Sequence, residues 1–304
     1  MSDQPAEPQP VLSVCIVNWN TRADLERCLT SLHQCGCSEP FEIIVVDNAS
    51  TDGSAELIEQ RFPQVRLIPN RENSGFAHAN NQAILASYGE FVFLLNPDTV
   101  VQPCSLSALV AFLRAHPRAA AVGPKVVNPD GSIQYSARSF PRFRTGLMRL
   151  FPRSRAVRQY LLSDWDHNSA RQVDWLSGAA LCMRRDALAQ IGLLDERFYI
   201  YCEDVDWCYR AKQEGWEIWF TPEAVITHFR AGSTNQRVAA MVWAFHRSMR
   251  QFYWKHYPRG VPWPLRWLPP LGIHLRALSV LAHVGYDALR HLWHRFSRGR
   301  AAHG

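Results

Sequence analysis

Glu90-Phe91-Val92-Phe93-Leu94-Leu95-Asn96-Pro97-Asp98 decides the reading of this chain. The apolar run lacks polar alternation, which is the pattern of a strand covered on both faces in a parallel sheet. It stops at Asn96-Pro97 and delivers the carboxylate of Asp98 to the carboxyl edge of that sheet. Ligands bind at this edge in open α/β folds. Downstream, Tyr201-Cys202-Glu203-Asp204-Val205-Asp206 opens a Trp- and Tyr-bearing helix with a second set of acids. One acidic site can hold a metal and a diphosphate while the other takes a proton. A strand-end Asp alone would say less, because such residues often cap the next helix.

The same pattern repeats on either side. Val11–Val17, Phe41–Val46, Val65–Ile68 and Ala119–Val122 read as further strands. Residues 22–33, 54–61, 76–87 and 104–115 read as the helices between them. Repeated βα units give a doubly wound α/β domain. After Lys125 the alternation stops. Asn128-Pro129-Asp130-Gly131 reads as a turn. Residues 138–158 carry seven Arg and no acid, and read as a loop-and-helix excursion. Structure resumes at Val173–Met183. A helix over 203–214, strands at 216–220 and 224–227, a helix near 237–256 and a last helix near 272–296 complete the expectation.

A chain of 304 residues, 47% apolar and 20% charged, can build one large domain or two small ones. The polar, Pro-rich residues 1–10 read as a disordered lead-in without the character of a secretory signal. The net charge of +6 is uneven: residues 1–130 hold 8 basic and 14 acidic residues, and from Arg237 onward there are 11 basic residues against Asp287 alone. A basic tail calls for an anionic partner. No recognised nucleic-acid motif appears, so a membrane surface is expected rather than nucleic acid. The eight cysteines show no metal-ligand spacing, which points to a reducing, cytoplasmic location. Cys15 and Cys182 lie in apolar runs and read as small core residues.

Two loops and the acidic helix can carry chemistry. Asp47 ends the second strand and is read as a ligand contact, because Asp52-Gly53-Ser54 already offers a cap for the next helix. In Asn73-Ser74-Gly75-Phe76, Gly75 allows a close backbone approach, and the helix start can receive a phosphate. A plain helix start explains that stretch equally well, and His78 reads equally as a helix-surface residue. In the acidic helix Glu203, Asp204 and Asp206 compete for the role of base, since helical geometry turns only one toward the site.

Six motifs occur in order: Val17-Asn18-Trp19-Asn20, Val46–Ser54, Asn73–Ala77, Leu95-Asn96-Pro97-Asp98, Trp175–Ala179 and Glu203–Cys208. Over residues 11–255 the chain resembles the family 2 inverting glycosyltransferases of GT-A fold, in the version found in bacterial rhamnosyltransferases. The resemblance implies a Rossmann-like, mainly parallel sheet with a C-terminal helical extension. It implies a nucleotide-sugar site at Val17, Asn20, Asp47, Asn73, Gly75, Phe76, Asn96, Gly178 and Ala179. Asp204 would be the general base, with Glu203 beside it. Asp98 and His228 would serve a divalent cation, Mg²⁺ or Mn²⁺, and Arg230 and Arg237 the diphosphate. Asn96 departs from the usual Asp-x-Asp, which Mg²⁺ tolerates because it takes few protein ligands. The implied reaction moves a sugar, expected to be L-rhamnose from dTDP-rhamnose, to a lipid-linked (polyprenyl-diphosphate) or polysaccharide acceptor of the cell envelope. A nucleotidyltransferase and a non-catalytic sugar-nucleotide-binding protein are the alternatives.

The expected organisation is a catalytic domain over 11–236 and an amphipathic helical region over 237–304. Trp263, Trp267, Leu275, Leu278 and Leu281 alternate with Arg266 and Arg276. No uncharged stretch there is long enough to span a bilayer. An interfacial anchor on the inner face of the cell membrane is favoured over a packed helix or a dimer contact.

Overall fold

The computed structural model describes residues 9–141, 154–229, 238–258 and 261–283. The chain divides into two compact units, Met1–Asn235 and Gln236–Gly304. The first unit opens with β1 (Leu12–Asn18), α1 (Arg22–Gln34), β2 (Phe41–Asp47), α2 (Ser54–Arg61), β3 (Arg66–Pro69), α3 (Phe76–Ala86) and β4 (Phe91–Leu95). It continues with β5 (Thr99–Val101), α4 (Ser105–Ala115), β6 (Ala119–Val127), β7 (Ala137–Arg138), α5 (Arg155–Leu161), β8 (Arg171–Gln172) and β9 (Trp175–Leu176). It closes with β10 (Ala180–Arg184), α6 (Arg185–Ile191), α7 (Glu203–Gln213) and β11 (Glu217–His228).

Nine strands make one sheet in the order β3-β2-β1-β4-β10-β6-β11-β5, with β8 beside β11. The sheet is parallel from β3 to β4 and mixed beyond, because β10 runs antiparallel to both β4 and β6. The chain walks outward from β1 to β3, then returns to place β4 on the other side of β1. That reversal opens a crevice at the carboxyl ends of β1 and β4, where an open α/β sheet binds its ligands.

The continuous apolar runs are explained by cover on both faces. Leu12, Val14 and Ile16 of β1 and Phe91, Phe93 and Leu95 of β4 join one core with Leu25 and Leu29 of α1 and Leu109 and Leu113 of α4. The alternate residues, Ser13, Cys15, Val17, Val92 and Leu94, are buried as well, and α3 packs over β1 and β2 on that side. Each fully buried Leu, Ile or Phe contributes about 1.5–3 kcal/mol. Cys15 and Cys182 are fully buried in the sheet.

Local differences from the sequence pattern have physical reasons. β6 runs through Gly123-Pro124 because Gly123 lies against Leu176, where a Cβ would come within 2.5 Å of a side-chain carbon. The two short strands expected at 216–227 are one strand whose register shifts between Thr221 and Val225, around Pro222, which has no N–H to offer the ladder. β5, three residues long, has too little pattern to be seen in sequence.

The second unit contains α8 (Val238–His256), a 3₁₀ turn (Trp263–Trp267) and α9 (residues 268–283). Tyr253 Oη donates to Arg266 O at 3.0 Å, Trp254 meets Trp267 edge-on at 5.0 Å, and Arg250 approaches His274 at 3.2 Å. These contacts fold α9 back along α8. Its outer side leaves Leu268, Leu271, Leu275 and Leu278 about half exposed, in continuity with Trp263 at 72%. No helix among the described residues is long and apolar enough to cross a membrane. Residues 1–8, most of the Arg-rich stretch, Arg230, Arg237, and the last helix beyond 283 lie outside the described residues.

Candidate active site

The crevice is framed first by the loops after β1 and β2. Asp47, expected to face a ligand, is buried and engaged. Its Oδ1 accepts from Asn18 Nδ2 at 2.8 Å and its Oδ2 from Ser50 N at 2.9 Å. Asn20, in the left-handed region at φ 52°, accepts from Thr51 N at 2.8 Å and donates its own N–H to Ser50 Oγ at 2.9 Å. Asp47 therefore laces the two loops together, and only its remaining lone pairs are left for a ligand. Val17 pairs with Val46 in the sheet beside it. Asp52 holds two helix starts from outside their N-caps, Gly53 and Thr21: it accepts from Ser54 N at 3.2 Å and from Arg22 N, the first residue of α1, at 2.8 Å.

Asn48 extends the lacing to the third loop. Its Nδ2 donates to Asn73 Oδ1 at 3.1 Å and to Gly75 O at 3.2 Å. Asn73 Oδ1 also accepts from Tyr199 Oη at 2.9 Å. Gly75 is required: at φ +90° a Cβ would meet Tyr199 Cδ2 at 2.6 Å and Tyr199 O at 2.8 Å. Phe76 N–H donates to Tyr199 O at 2.7 Å. Tyr199 thus takes the first N–H of α3 and lies against Gly75. His78 is a surface residue paired with Glu196 at 2.8 Å.

At the end of β4, Asn96 N–H donates to Ala179 O at 2.9 Å, joining the strand end to the loop that starts β10. Asn96 Oδ1 is buried without a partner among the described residues. Thr99 of β5 pairs with His228 of β11, and this register brings Asp98 Oδ1 to 3.1 Å from His228 Nε2. His228 Nδ1 lies 3.0 Å from Gln134 Oε1.

Gly178 bridges to the acidic helix, its N–H donating to Asp204 Oδ2 at 2.8 Å. A Cβ on Gly178 would sit 3.5–3.7 Å from Asp204 and Phe76, so the three surround one point. Tyr201 and Cys202, both left-handed at φ 69° and 68°, turn the chain into α7. Strain of this kind collects at functional sites. Glu203 is buried, with Oε2 unpartnered among the described residues. Its carboxyl is pushed well above the usual range, first by burial and then by the neighbouring Asp204 charge. Burial also raises Asp204, but the N–H groups of Gly178 and Val205 and the charge of Arg138 pull against it. When one of the pair ionises, Asp204 takes the charge and Glu203 keeps the proton. Asp206 is fully buried and paired with Arg210 at 2.9 Å, which removes it from contention as the base.

The fold matches solved glycosyltransferases. A Pyrobaculum calidifontis mannosyltransferase in complex with GDP-Man and Mn²⁺ superposes with a TM-score of 0.57 at 18% identity, over 93% of this chain and 81% of that one. GalNAc-T7 with UDP, GalNAc and Mn²⁺ gives 0.58 at 17% identity, over 83% and 49%. In sequence, residues 13–177 match the glycosyl transferase family 2. The chain belongs to glycosyltransferase family 2. It is 36% identical over 277 residues to the N-acetylglucosaminyl-diphospho-decaprenol L-rhamnosyltransferase of Mycobacterium tuberculosis, covering 84% of this chain and 88% of that protein. A low-salt glycan biosynthesis hexosyltransferase, Agl10 of Haloferax volcanii, is 27% identical over 212 residues, 67% of this chain and 62% of that one. Membership replaces the nucleotidyltransferase and non-catalytic alternatives: this is a GT-A glycosyltransferase.

Among the described residues no three His, Cys, Asp or Glu side chains gather as a metal cluster, but the two residues expected at a divalent cation lie together. A carboxylate and an imidazole converge at 3.1 Å, beside the strand end that carries the orphaned Asn96 oxygen, and a cation on a diphosphate needs few further protein ligands. Arg138, Gln134, Asn48 and Tyr199 had no assigned role in the sequence reading. Arg138 stacks on Trp175 at 5.1 Å, and its cross-strand pairing with Trp175, two residues before Ser177-Gly178, carries no local sequence signal.

Proposed function

We propose that this glycosyltransferase moves L-rhamnose, with inversion, from dTDP-L-rhamnose to a polyprenyl-diphosphate-linked sugar of the cell envelope, working at the cytoplasmic face of the membrane. The observation that carries the reading is the carboxylate of Asp204, held by Gly178 N–H at 2.8 Å beside Phe76. The similarity to the mycobacterial rhamnosyltransferase across most of both chains supports the choice of substrates.

Asp204 takes the proton from the acceptor hydroxyl as it attacks the anomeric carbon. The neighbouring Glu203 stays neutral and keeps Asp204 the single negative charge. One displacement inverts the centre, and no carboxylate nucleophile is needed. Asp98 and His228 would hold a divalent cation, which when bound would neutralise charge on the departing diphosphate. The loops laced by Asp47, Asn20 and Asn73 shape the nucleotide side, and Gly178 and Ala179 pass beneath the sugar. The exposed Trp263–Leu278 stripe on the second unit lies in the membrane interface, with Arg266 and Arg276 serving anionic headgroups.

The test supplies purified full-length protein with a panel of nucleotide-sugars, Mg²⁺ or Mn²⁺, and a polyprenyl-diphosphate N-acetylglucosamine acceptor. Rhamnosyl product of inverted anomeric configuration from dTDP-L-rhamnose is expected. Transfer from another donor alone, or retention of configuration, would overturn the reading.

A further inference from the structure

We propose that the Asn128–Ser132 turn and Gln134 form an oriented hydrogen-bond relay that fixes which nitrogen of His228 faces Asp98. Gln134 is then a positioning residue acting through His228. Its consequence for the reaction rests on the proposed role of Asp98 and His228 as cation ligands.

The direction of every bond follows from groups that can only accept. Asp130 is a carboxylate, held below its usual range by the hydrogen bonds of Ser132. Ser132 Oγ lies 2.6 Å from Asp130 Oδ1, so the hydroxyl hydrogen points there. Ser132 Oγ then accepts from Asn128 Nδ2 at 2.8 Å, which turns Asn128 Oδ1 toward Gln134 Nε2 at 2.6 Å. An independent anchor agrees. Gln134 Nε2 also lies 2.6 Å from the backbone oxygen of His228, and a carbonyl cannot donate. Both contacts demand nitrogen on that branch of the amide. Oε1 therefore occupies the other branch, 3.0 Å from His228 Nδ1. An amide oxygen accepts, so Nδ1 carries the hydrogen.

A neutral imidazole with its hydrogen on Nδ1 presents a lone pair from Nε2. That lone pair faces Asp98 Oδ1 at 3.1 Å. Two acceptors at this separation need something positive between them. In the opposite tautomer Nε2–H would donate to Asp98, and both groups would be closed to a cation. Gln134 is 5% exposed, so water does not readily take its place. The ordering device starts at an exposed turn and ends at the reaction edge of the sheet, which gives the Asn128-Pro129-Asp130-Gly131 turn a task.

The experiment has a readout free of both metal and activity. Full-length protein labelled with ¹⁵N-histidine is recorded without metal at alkaline pH in long-range ¹H–¹⁵N correlation spectra, and His228 is identified by its loss in His228→Asn. The hydrogen is expected on Nδ1; a hydrogen on Nε2 overturns the relay. Free Mn²⁺ is then titrated by paramagnetic resonance in the presence of dTDP. Gln134→Met should scramble the tautomer and weaken Mn²⁺ binding about 10–100-fold, as loss of an outer partner of a metal-bound imidazole does. Gln134→Glu, whose carboxylate still accepts from Nδ1–H although it cannot donate to Asn128 Oδ1 or His228 O, should keep the hydrogen on Nδ1 where Met does not. Met and Glu variants that behave alike would mean Gln134 only fills space, and would overturn the proposal. Asp98→Ala separates the two readings: unchanged Mn²⁺ affinity there, with the tautomer still dependent on Gln134, removes the cation role and leaves the relay.

Discussion

Replacing Asp204 by Asn tests the proposed division of labour at the start of α7. Asp204 accepts two backbone hydrogens, from Gly178 on Oδ2 and from Val205 on Oδ1, each at 2.8 Å. An Asn has one acceptor oxygen, so its amide nitrogen must face one of those N–H groups. A lost hydrogen bond to a charged group costs about 1.5–3 kcal/mol. Burial opposes ionisation of Asp204, so a neutral amide recovers part of that, and a net loss of about 1 kcal/mol is expected. Loss of a general base costs on the order of 10²–10⁴ in rate, or about 2.7–5.5 kcal/mol of barrier. Turnover should therefore collapse in a protein that remains folded and binds donor as before. Glu203→Gln is the paired control. As the proposed neutral partner of Asp204, Glu203 should tolerate an amide, and turnover should stay within a few fold. Because its folded carboxyl titrates above the unfolded value, wild-type stability falls as pH rises from about 4.3, by up to about 1.4 kcal/mol per pH unit. Gln removes that slope, so the variant should gain on the wild type as pH is raised through this window. Steady-state rates, donor calorimetry and urea unfolding at several pH values read all three effects. A live Asp204→Asn beside a dead Glu203→Gln, or stability curves that stay parallel, would refute the assignment.

Asp98→Ala should weaken Mn²⁺-dependent donor binding more than Asp52→Ala, which should instead cost about 1 kcal/mol of stability as lost hydrogen bonds at two helix starts; equal donor affinities by calorimetry would remove Asp98 from the cation site. Gly75→Ala forces a side chain into an almost glycine-only backbone region against Tyr199, so thermal or urea unfolding should show a loss of about 2–4 kcal/mol, and a loss below about 1 kcal/mol would mean the Tyr199 contact gives way freely. Changing Leu268, Leu271, Leu275 and Leu278 together to Ser should abolish sedimentation with anionic liposomes while leaving transfer to a short soluble acceptor intact. Wild-type binding should weaken with salt, and undiminished binding by the variant would place the anchor elsewhere.

The parallel half of the fold was legible because each element carries its own period: β1, β2 and β4 are continuous apolar runs, and α2 matches its expected limits of 54–61. In the mixed half α4, the start of β6 and α7 were legible in the same way, but β5, β7, β8 and β9 were not, because they are two or three residues long and are specified by pairing rather than by local pattern. The candidate site divides in the same way. Asp98, Gly178 and Asp204 stand out as strand-end or helix-start residues. The partners that hold them, Gln134, Tyr199 and Arg138, arrive from distant segments through side-chain contacts with no spacing rule. Asp47 adds a role that its strand-end position does not announce: it accepts from Asn18 and Ser50 and so joins two loops.

Strand direction explains why the site needs both halves of the sheet. β10 enters between β4 and β6 antiparallel to β4, with Ala180 beside Leu95. Its first residues therefore stand at the edge where β4 ends, and Gly178 and Ala179 reach Asn96 and Asp204 directly. A parallel β10 would begin at the opposite edge, about 17 Å away for a five-residue strand, and Gly178 could not hold the base. β5 and β11 repeat the device. Running antiparallel, they set Thr99 across from His228, so the residue just before one strand, Asp98, meets the last residue of the other. Reversing either strand would leave the acidic residues in the sequence and dissolve the site. The βα repeats build the crevice, and two antiparallel insertions furnish it with the groups that act there.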